Sequence, residues 1–514
     1  MILKWQLNNT EGECELQEVT HIVTDCNEII ETAKATLHIE VAEKMFFNGY
    51  QTWSWCPEYD QNDYMYGVRA PKEVNEANGF DRYGDYHFYN YSNEKGQFHG
   101  YSYCYFRNGE NYRFFGSLDE RNGYTVFSYD CDQQLLTIER DCQGVRGSED
   151  FHLLDLYYKE GSEQEVFDGW FTLLNIKPIT NEHVVGYSSW YNRYENINEE
   201  AIIQDLEGCR KVLKAGDLFQ VDDGWEPTVG DWLEGDKKKF PHGMKTICDQ
   251  IHKKGYKAGI WLAPMVTTAK STIYRDHPDW LIKHEGEYWS NGSNWGGFYS
   301  LDFSKEEVKD HLRKVFDCVL NDWGFDLVKL DFLYAGAIFN NEKASRGAQM
   351  IEIMDFIREL CGDKEILGCG VPLFPAFGKV EYCRISCDVS LDWDDKPEMV
   401  YGHRERISTK HATDNSIFRR QLNGRAFLND PDVFFLREDN LYLSEEEKQY
   451  LYTINALSGG VLLTSDDPGR YDDKKVELFN KIRKLNETAS WQLRYDPLRI
   501  EYEEEGVKQE LIMR

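Results

Sequence analysis

The sequence predicts a multidomain α/β plus β chain. It divides into an N-terminal β-sandwich (1–176), a central (β/α)8 TIM barrel (177–470) and a short C-terminal helix and β element (471–514). Three observations carry that reading. The first third is built of short alternating runs broken by Gly, Asn and Asp clusters. The middle repeats strand-then-helix units over the length a barrel needs, about 250 residues. Strand-like runs in that middle part end, one after another, in a polar or reactive side chain. A chain of 514 residues also exceeds what a single simple core organises.

In the N-terminal part, "TLHIEV" (36–41), "YRFFGSL" (112–118) and "LLTIER" (135–140) alternate apolar and polar positions, and "ERNG" (120–123) reads as a turn. Many short strands joined by turns imply a sandwich. The pattern changes across "NIKPITNEHVVGY" (175–187).

The barrel begins with "VVGYSSW" (184–190) as a strand, followed by a helix from about Asn198 to Leu213 and the strand "LFQVDD" (218–223). Met244, Ile247 and Ile251 form one stripe of the next helix, which Gly255 ends before the strand "KAGIWLAP" (257–264). "SKEEVKDHLRKVFDCVL" (304–320) has Ser304 and Glu307 at capping-box spacing and Val308, Leu312, Val315, Phe316 and Val319 at helical spacing. "DLVKLDF" (326–332), a helix near 345–360, "EILGCG" (365–370), "YCRISCD" (382–388), "RAFLND" (425–430) and "GGVLLTSDD" (459–467) complete eight strands. A doubly wound sheet is the rival, and it lacks the Gly-rich loop expected after the first strand. A helix near 473–486 and short strands follow.

Composition narrows the function. The net charge of −32 disfavours nucleic acid and anionic membranes as partners, and points to a small neutral or cationic molecule. No apolar run is long enough to span a bilayer, and the first residues lack a signal-peptide pattern, so a cytoplasmic location is expected. The 13 Cys are scattered without a CxxC pair, and "CRISC" (383–387) has poor zinc geometry. Free thiols and no metal or other cofactor are expected; the oligomeric state is not legible.

The strand ends read Trp190, Asp222–Asp223, Trp261, Asp331, Cys369, Asp388, Asp430 and Asp466. In a (β/α)8 barrel those ends form the active-site face. Alternation sharpens the placement. In "VKLDF", Val328, Leu330 and Phe332 point to the helices, and Lys329 and Asp331 point inward. By the same logic Arg384, Ser386 and Asp388 share a face, as do Gln220 and Asp222. Converging buried charges are costly unless paired or used. Two carboxylates at one barrel mouth beside Trp residues fit glycoside hydrolysis, in which one attacks and the other protonates the leaving oxygen. Lys329 is the cation expected to keep Asp331 ionised or to grip a hydroxyl.

"FQVDDGW…GDW", "GIWLAPM…HPDW", "VKLDFLYAGA", "LGCGVPL" and "CRISCD…DW", in this order over about 184–440, resemble the glycoside hydrolase family 36 α-galactosidases of compact bacterial type. "NGYQTWSW" (48–55) extends the resemblance to the preceding domain. The resemblance implies a retaining exo-α-galactosidase. Asp331 is the implied nucleophile and Asp388, four residues after Arg384, the implied acid/base. Asp222 and Asp223 would grip O4 and O6, with Trp190 and Trp261 as pocket walls. Lys329 and Arg384 would bind hydroxyls, Cys369 would lie near O2, and Tyr50 or Trp53 would cover the site. Asp392 lacks the Arg384 spacing, and Asp231–Trp232 are expected to shape a rim loop. "NDPD" (429–432) and "SDD" (465–467) read as structural strand ends. Tyr187 departs from the Trp of many relatives, and the C-terminal part is short. The same family holds α-N-acetylgalactosaminidases and galactosyl-transferring members; Cys369 and Gly370 near O2 favour galactose. A non-catalytic carbohydrate-binding protein would lack one of the carboxylates. An aldolase would need Lys329 as a Schiff base, which the adjacent Asp331 opposes.

Overall fold

The computed structural model describes residues 1–394, 396–495 and 498–513. The N-terminal part folds into two six-stranded antiparallel sheets. Alternation does what the sequence predicts. Along Ala33–His38, Ala33, Ala35 and Leu37 turn inward, and along Leu135–Asp141, Leu136 and Ile138 do. With Met45, Phe47, Phe106 and Phe115 of the other sheet they form one core. Two layers of antiparallel sheet bury their apolar faces this way.

The second sheet also has a buried outer face. Tyr103, Tyr105 and Phe114 pack there against Phe167 and Trp170 of the helix Glu163–Leu174, and Tyr112 packs on Tyr105. Ser162 and Glu165 close a capping box at that helix start. Trp170 then meets Phe377 beyond it, ring to ring at 5.7 Å. This continuous aromatic packing seats the sheets against the central part and fixes where residues 48–56 reach.

The central part is a curled, all-parallel, TIM-like sheet. Its strands are β1 Val184–Ser188, β2 Leu218–Val221, β3 Lys257–Leu262, β4 Leu327–Leu330, β5 Glu365–Gly368, β6 Tyr382–Arg384, β7 Leu428–Asp430 and β8 Val461–Thr464. Neighbours pair in that order from β1 to β7, and β8 pairs with β1. After β7 the chain breaks at Pro431–Asp432 and resumes as Val433–Phe434, which pairs with β8. Asp432 takes a left-handed φ of 75° in this break.

The strands are shorter than the alternating runs. Asp331 follows the end of β4, and β6 stops at Arg384, so Ser386 and Asp388 lie in the loop beyond it. The shared face expected for Arg384, Ser386 and Asp388 therefore does not apply. The helices follow the expected stripes: Met244, Ile247 and Ile251 are buried on Met244–Lys253, and Val308, Leu312, Val315 and Phe316 on Glu306–Asp317. The capping box at Ser304 does not form. Lys305 occupies the cap, and the Ser304 hydroxyl donates to Asp302 Oδ1 at 2.6 Å. A helix (Asp473–Thr488) and a three-stranded antiparallel sheet follow. No helix among the described residues is long and apolar enough to cross a membrane.

Candidate active site

A cleft of about 310 Å3 opens at the C-terminal ends of the parallel strands. Its floor is made by Asp222, Asp223, Trp261, Lys329, Asp331 and Asp388, with Trp190 and Trp53 on its walls. Chain separations of more than a hundred residues are thus gathered by the parallel sheet onto one face.

Asp331 sits at the centre and is buried. Trp261, opposite Lys329 in the β3–β4 register, donates its Nε1–H to Asp331 Oδ2 at 3.2 Å. The Phe332 backbone N–H donates to Oδ1 at 2.9 Å. Phe332 holds a left-handed φ of 53°, a strained setting for a bulky residue that costs about 1–3 kcal/mol. That turn swings its ring into the cleft against Trp53 and Trp295, not toward the helices as alternation predicts. Burial pushes the Asp331 carboxyl above its ordinary range despite the opposing pull of Lys329.

Lys329 Nζ donates to Asp222 Oδ2 at 2.8 Å, so its direct ion pair is with Asp222 and its influence on Asp331 is through space. Burial opposes the ammonium, and the Asp222 carboxylate more than compensates, raising its pKa. Gln220 Nε2 donates to the same Asp222 oxygen at 2.6 Å. Asp223 is held differently, by the Trp295 indole N–H at 2.8 Å.

Arg384 is buried and presents its fork to three carboxylates. Nη1 reaches Asp388 Oδ1 at 2.7 Å, Nη2 reaches Asp432 Oδ1 at 2.9 Å and Nε reaches Asp430 Oδ2 at 3.4 Å. Fixed geometry and permanent charge suit Arg to this task. Asp388 keeps about a third of its side chain exposed, while Asp430 and Asp432 are enclosed. Burial pushes the Asp432 carboxyl up to about 6, against the pull of Arg384.

Two carboxylates of contrasting surroundings therefore face one cleft. Asp331 is enclosed and held by two donors, and Asp388 is partly solvated and bonded to one guanidinium. Of the other residues singled out in the sequence, Arg384 and Cys369 lie behind the cleft wall. Trp53 Nε1 donates to Cys369 Sγ at 3.4 Å, and burial keeps that thiol protonated. Tyr50 does not reach the cleft. It is packed among Phe88, Tyr101 and Tyr124 in the aromatic core, because successive residues of this turn diverge. Asp466 is structural: it accepts from the backbone N–H groups of Leu436 and Arg437.

Trp295, Tyr83, Phe80 and His403 also line the cleft and were not anticipated. They sit on loops and short 3-10 turns between the main elements. Trp295 lies in "NGSNWGG" with a φ of 55°, and Tyr83 donates to Asn294 across the rim. Ser54 and Tyr86 donate to Glu405 at 2.7 and 2.6 Å, tying these loops together. The one usable signal was a Trp set among glycines.

Residues 172–355 match the melibiase family. The α-galactosidase Mel36A of Lactobacillus acidophilus is 28% identical over 151 residues, 28% of this chain and 20% of that protein. The bifunctional α-galactosidase/sucrose kinase AgaSK of Mediterraneibacter gnavus is 30% identical over 249 residues, 44% of this chain and 25% of that protein. The matched segments thus span a fifth to a quarter of these relatives' length. Among solved structures, the α-galactosidase TtGalA from Thermus thermophilus, in complex with p-nitrophenyl α-D-galactopyranoside, superposes with a TM-score of 0.79 at 24% identity, covering 100% of this chain and 99% of that one. The GH36 α-galactosidase AgaA from Geobacillus stearothermophilus gives 0.59 at 13% identity, covering 97% and 79%.

Proposed function

With residues 172–355 matching the melibiase family and the chain resembling the family 36 glycoside hydrolases, we propose that this protein is a retaining exo-α-galactosidase. The observation that carries the reading is the pair Asp331 and Asp388, in contrasting surroundings at one cleft. Asp331 is the nucleophile. Its oxygen attacks the anomeric carbon as the bond to the leaving oxygen breaks, and Asp388 gives that oxygen its proton. A galactosyl ester on Asp331 results. Water then attacks the same carbon, Asp388 takes the water's proton, and the Asp331 carboxylate leaves. The exposure of Asp388 suits a group that exchanges protons with substrate and water. The donors on Asp331 suit a group that must remain a good leaving carboxylate.

The remaining roles follow the resemblance. Asp222 and Asp223 hold the axial and primary hydroxyls, Lys329 and Arg384 supply positive charge, and Trp190, Trp261 and Trp53 form the walls. Trp53 lies against Gly370, where an added Cβ would meet its ring at 2.9 Å. That crowding, beside the Cys369 position assigned to O2, favours galactose over its N-acetylamino analogue. We read the two N-terminal sheets as a sandwich, the parallel strands as a (β/α)8 barrel closed through the interrupted β7, and the divisions as 1–176, 177–470 and 471–514. The substrate class is α-galactosides, which several solved relatives hold as bound molecules. Free cysteines support a reducing compartment such as the cytoplasm.

The test is hydrolysis of p-nitrophenyl α-galactoside beside its α-N-acetylgalactosaminide, with the product anomer followed by NMR. α-Galactose appears first if the reading holds. Asp331→Gly loses activity and regains part of it with azide. First release of the β-anomer, or full activity in Asp331→Asn, overturns it.

A further inference from the structure

Residues 48–56, which deliver Trp53 to the cleft, form no helix or strand, so side-chain tethers decide their shape. Those tethers come from the end of the helix Thr409–Phe418. Asn415 accepts from the Cys56 N–H at 3.0 Å and donates its Nδ2–H to the Ser54 carbonyl at 3.0 Å. Arg419, the first residue past the helix, holds the other side of Trp53. Its Nη2 donates to the Gln51 carbonyl at 3.2 Å and its Nη1 to the Thr52 carbonyl at 2.7 Å. The same Nη1 donates to the Ile385 carbonyl at 2.8 Å, and Nε donates to Asn48 Oδ1 at 3.0 Å. Ile385 directly follows β6 and is itself pinned, its N–H donating to the Asp430 carbonyl at 3.2 Å. Asn48 is fixed to the N-terminal sheets by its Nδ2–H on the Tyr101 carbonyl at 3.0 Å.

Arg419 is fully buried, and these four bonds all go to neutral oxygens. Burying a guanidinium without a bonded carboxylate is costly and is tolerable only where its donors are used. Its planar fork gathers acceptors from several directions at once, which a point charge such as an ammonium does not. Here it joins three parts of the chain: the sheets, the Trp53 turn and the end of β6. Trp53, with both neighbours held and its own N–H on Gln51 Oε1 at 3.0 Å, projects over Cys369 and leaves that thiol 1% exposed.

We propose that Arg419 is a positioning residue for the sugar pocket, fixing the Trp53 turn to the end of β6 so that the indole stands over Cys369. The proposal rests on reading Trp53 as a wall of a galactoside-binding cleft. Arg419 itself does not line the cleft and acts through Trp53.

The experiment follows the labelling of Cys369 by N-ethylmaleimide in the full chain, mapped by peptide mass spectrometry, beside KM for p-nitrophenyl α-galactoside. Arg419→Lys keeps the charge and loses the fork. Its Cys369 is expected to label at least about tenfold faster than in the wild type, as in Trp53→Ala, while Cys104 and Cys248, buried elsewhere, stay protected. Its KM rises by about tenfold, and adding Trp53→Ala raises it by less than about threefold more, since both changes act through one side chain. A residue that serves only the stability of the fold would lower the melting temperature, expose the buried cysteines together and leave KM alone. Asn48→Ala takes one acceptor from the guanidinium and leaves Arg419 in place. It gives a milder form of the same labelling and decides the matter if Arg419→Lys does not fold. Cys369 labelling at the wild-type rate in folded Arg419→Lys or, failing that variant, in Asn48→Ala overturns the proposal. So do KM effects of Arg419→Lys and Trp53→Ala that multiply in the double variant. A wild type that does not hydrolyse the aryl α-galactoside fails the proposed function instead, and the labelling still decides whether Arg419 places the indole.

Discussion

Trp53 and Cys369 meet across the junction between the N-terminal sheets and the parallel sheet, indole Nε1 to Sγ at 3.4 Å. The contact places an N-terminal side chain directly over the floor of the cleft, with its ring against Phe332 and Tyr334. Buried aromatic rings at the centre of a binding surface carry a disproportionate share of its energy. The N-terminal part is therefore a component of the site.

Trp53→Ala is expected to raise KM for p-nitrophenyl α-galactoside by about tenfold to thirtyfold, the equivalent of about 1.4–2 kcal/mol. Trp53→Phe, which keeps an aromatic wall without the N–H, falls between. Steady-state kinetics check this, with circular dichroism to show that both variants fold. An unchanged KM in Trp53→Ala would remove the residue from the site.

The second prediction concerns the acid limb of activity. As the proposed nucleophile Asp331 must be ionised to attack, and burial already raises its pKa while Lys329 pulls it down. Lys329→Met removes that pull and also frees the negative charge of Asp222, and both changes act in the same direction. The acid limb of kcat/KM moves to higher pH by roughly one unit or more. A pH–rate profile decides; a limb that stays put or moves to lower pH contradicts the assignment.

Much of this was legible in the sequence, for a definite reason. "VKLDF" carries two charges on one face of a buried strand, which is tolerable only where they face inward and are paired or used. Lys329 and Asp331 do face the cleft. The partner of Lys329 was not legible, because Asp222 lies on a different strand and only the β2–β3–β4 register brings it near. Asp388 was singled out by resemblance, by its spacing from Arg384 and by strand alternation, but the last does not apply, since β6 ends four residues earlier and alternation has no authority in a loop. Phe332 and Trp295 escaped for a shared physical reason. Both take left-handed backbone conformations, and no periodicity predicts where such a residue aims its side chain. Ser304 shows the converse, a correct capping pattern defeated by a nearer acceptor, Asp302.

Asp388→Ala tests the division of labour between the two carboxylates. A general acid contributes about 10²–10⁴ in rate when the leaving group needs a proton. Oligosaccharide hydrolysis is expected to fall by that order. Galactosyl-enzyme formation from p-nitrophenyl α-galactoside, whose leaving group departs as an anion, falls much less. Equal losses on both substrates would show that Asp388 is not the acid.

The last prediction lies away from the cleft, at Glu120, whose side chain is fully buried in the N-terminal sheets. The Thr125 N–H donates to its Oε1 at 3.2 Å, and no cation is bonded to it among the described residues. Burial is the main cause that raises this carboxyl from its ordinary 4.5 to about 8. The folded protein therefore holds a proton that the unfolded chain has already released. Stability from this group is full below about pH 4.5 and is lost as the pH climbs through about 8, because the folded state binds the extra proton in that interval. Glu120→Gln supplies the neutral form at every pH. Thermal unfolding of the two proteins at about pH 5 and pH 9 should show similar melting temperatures at the lower pH and a more stable variant at the higher one. A variant that is less stable at pH 9 would mean that Glu120 is held in the fold as a carboxylate.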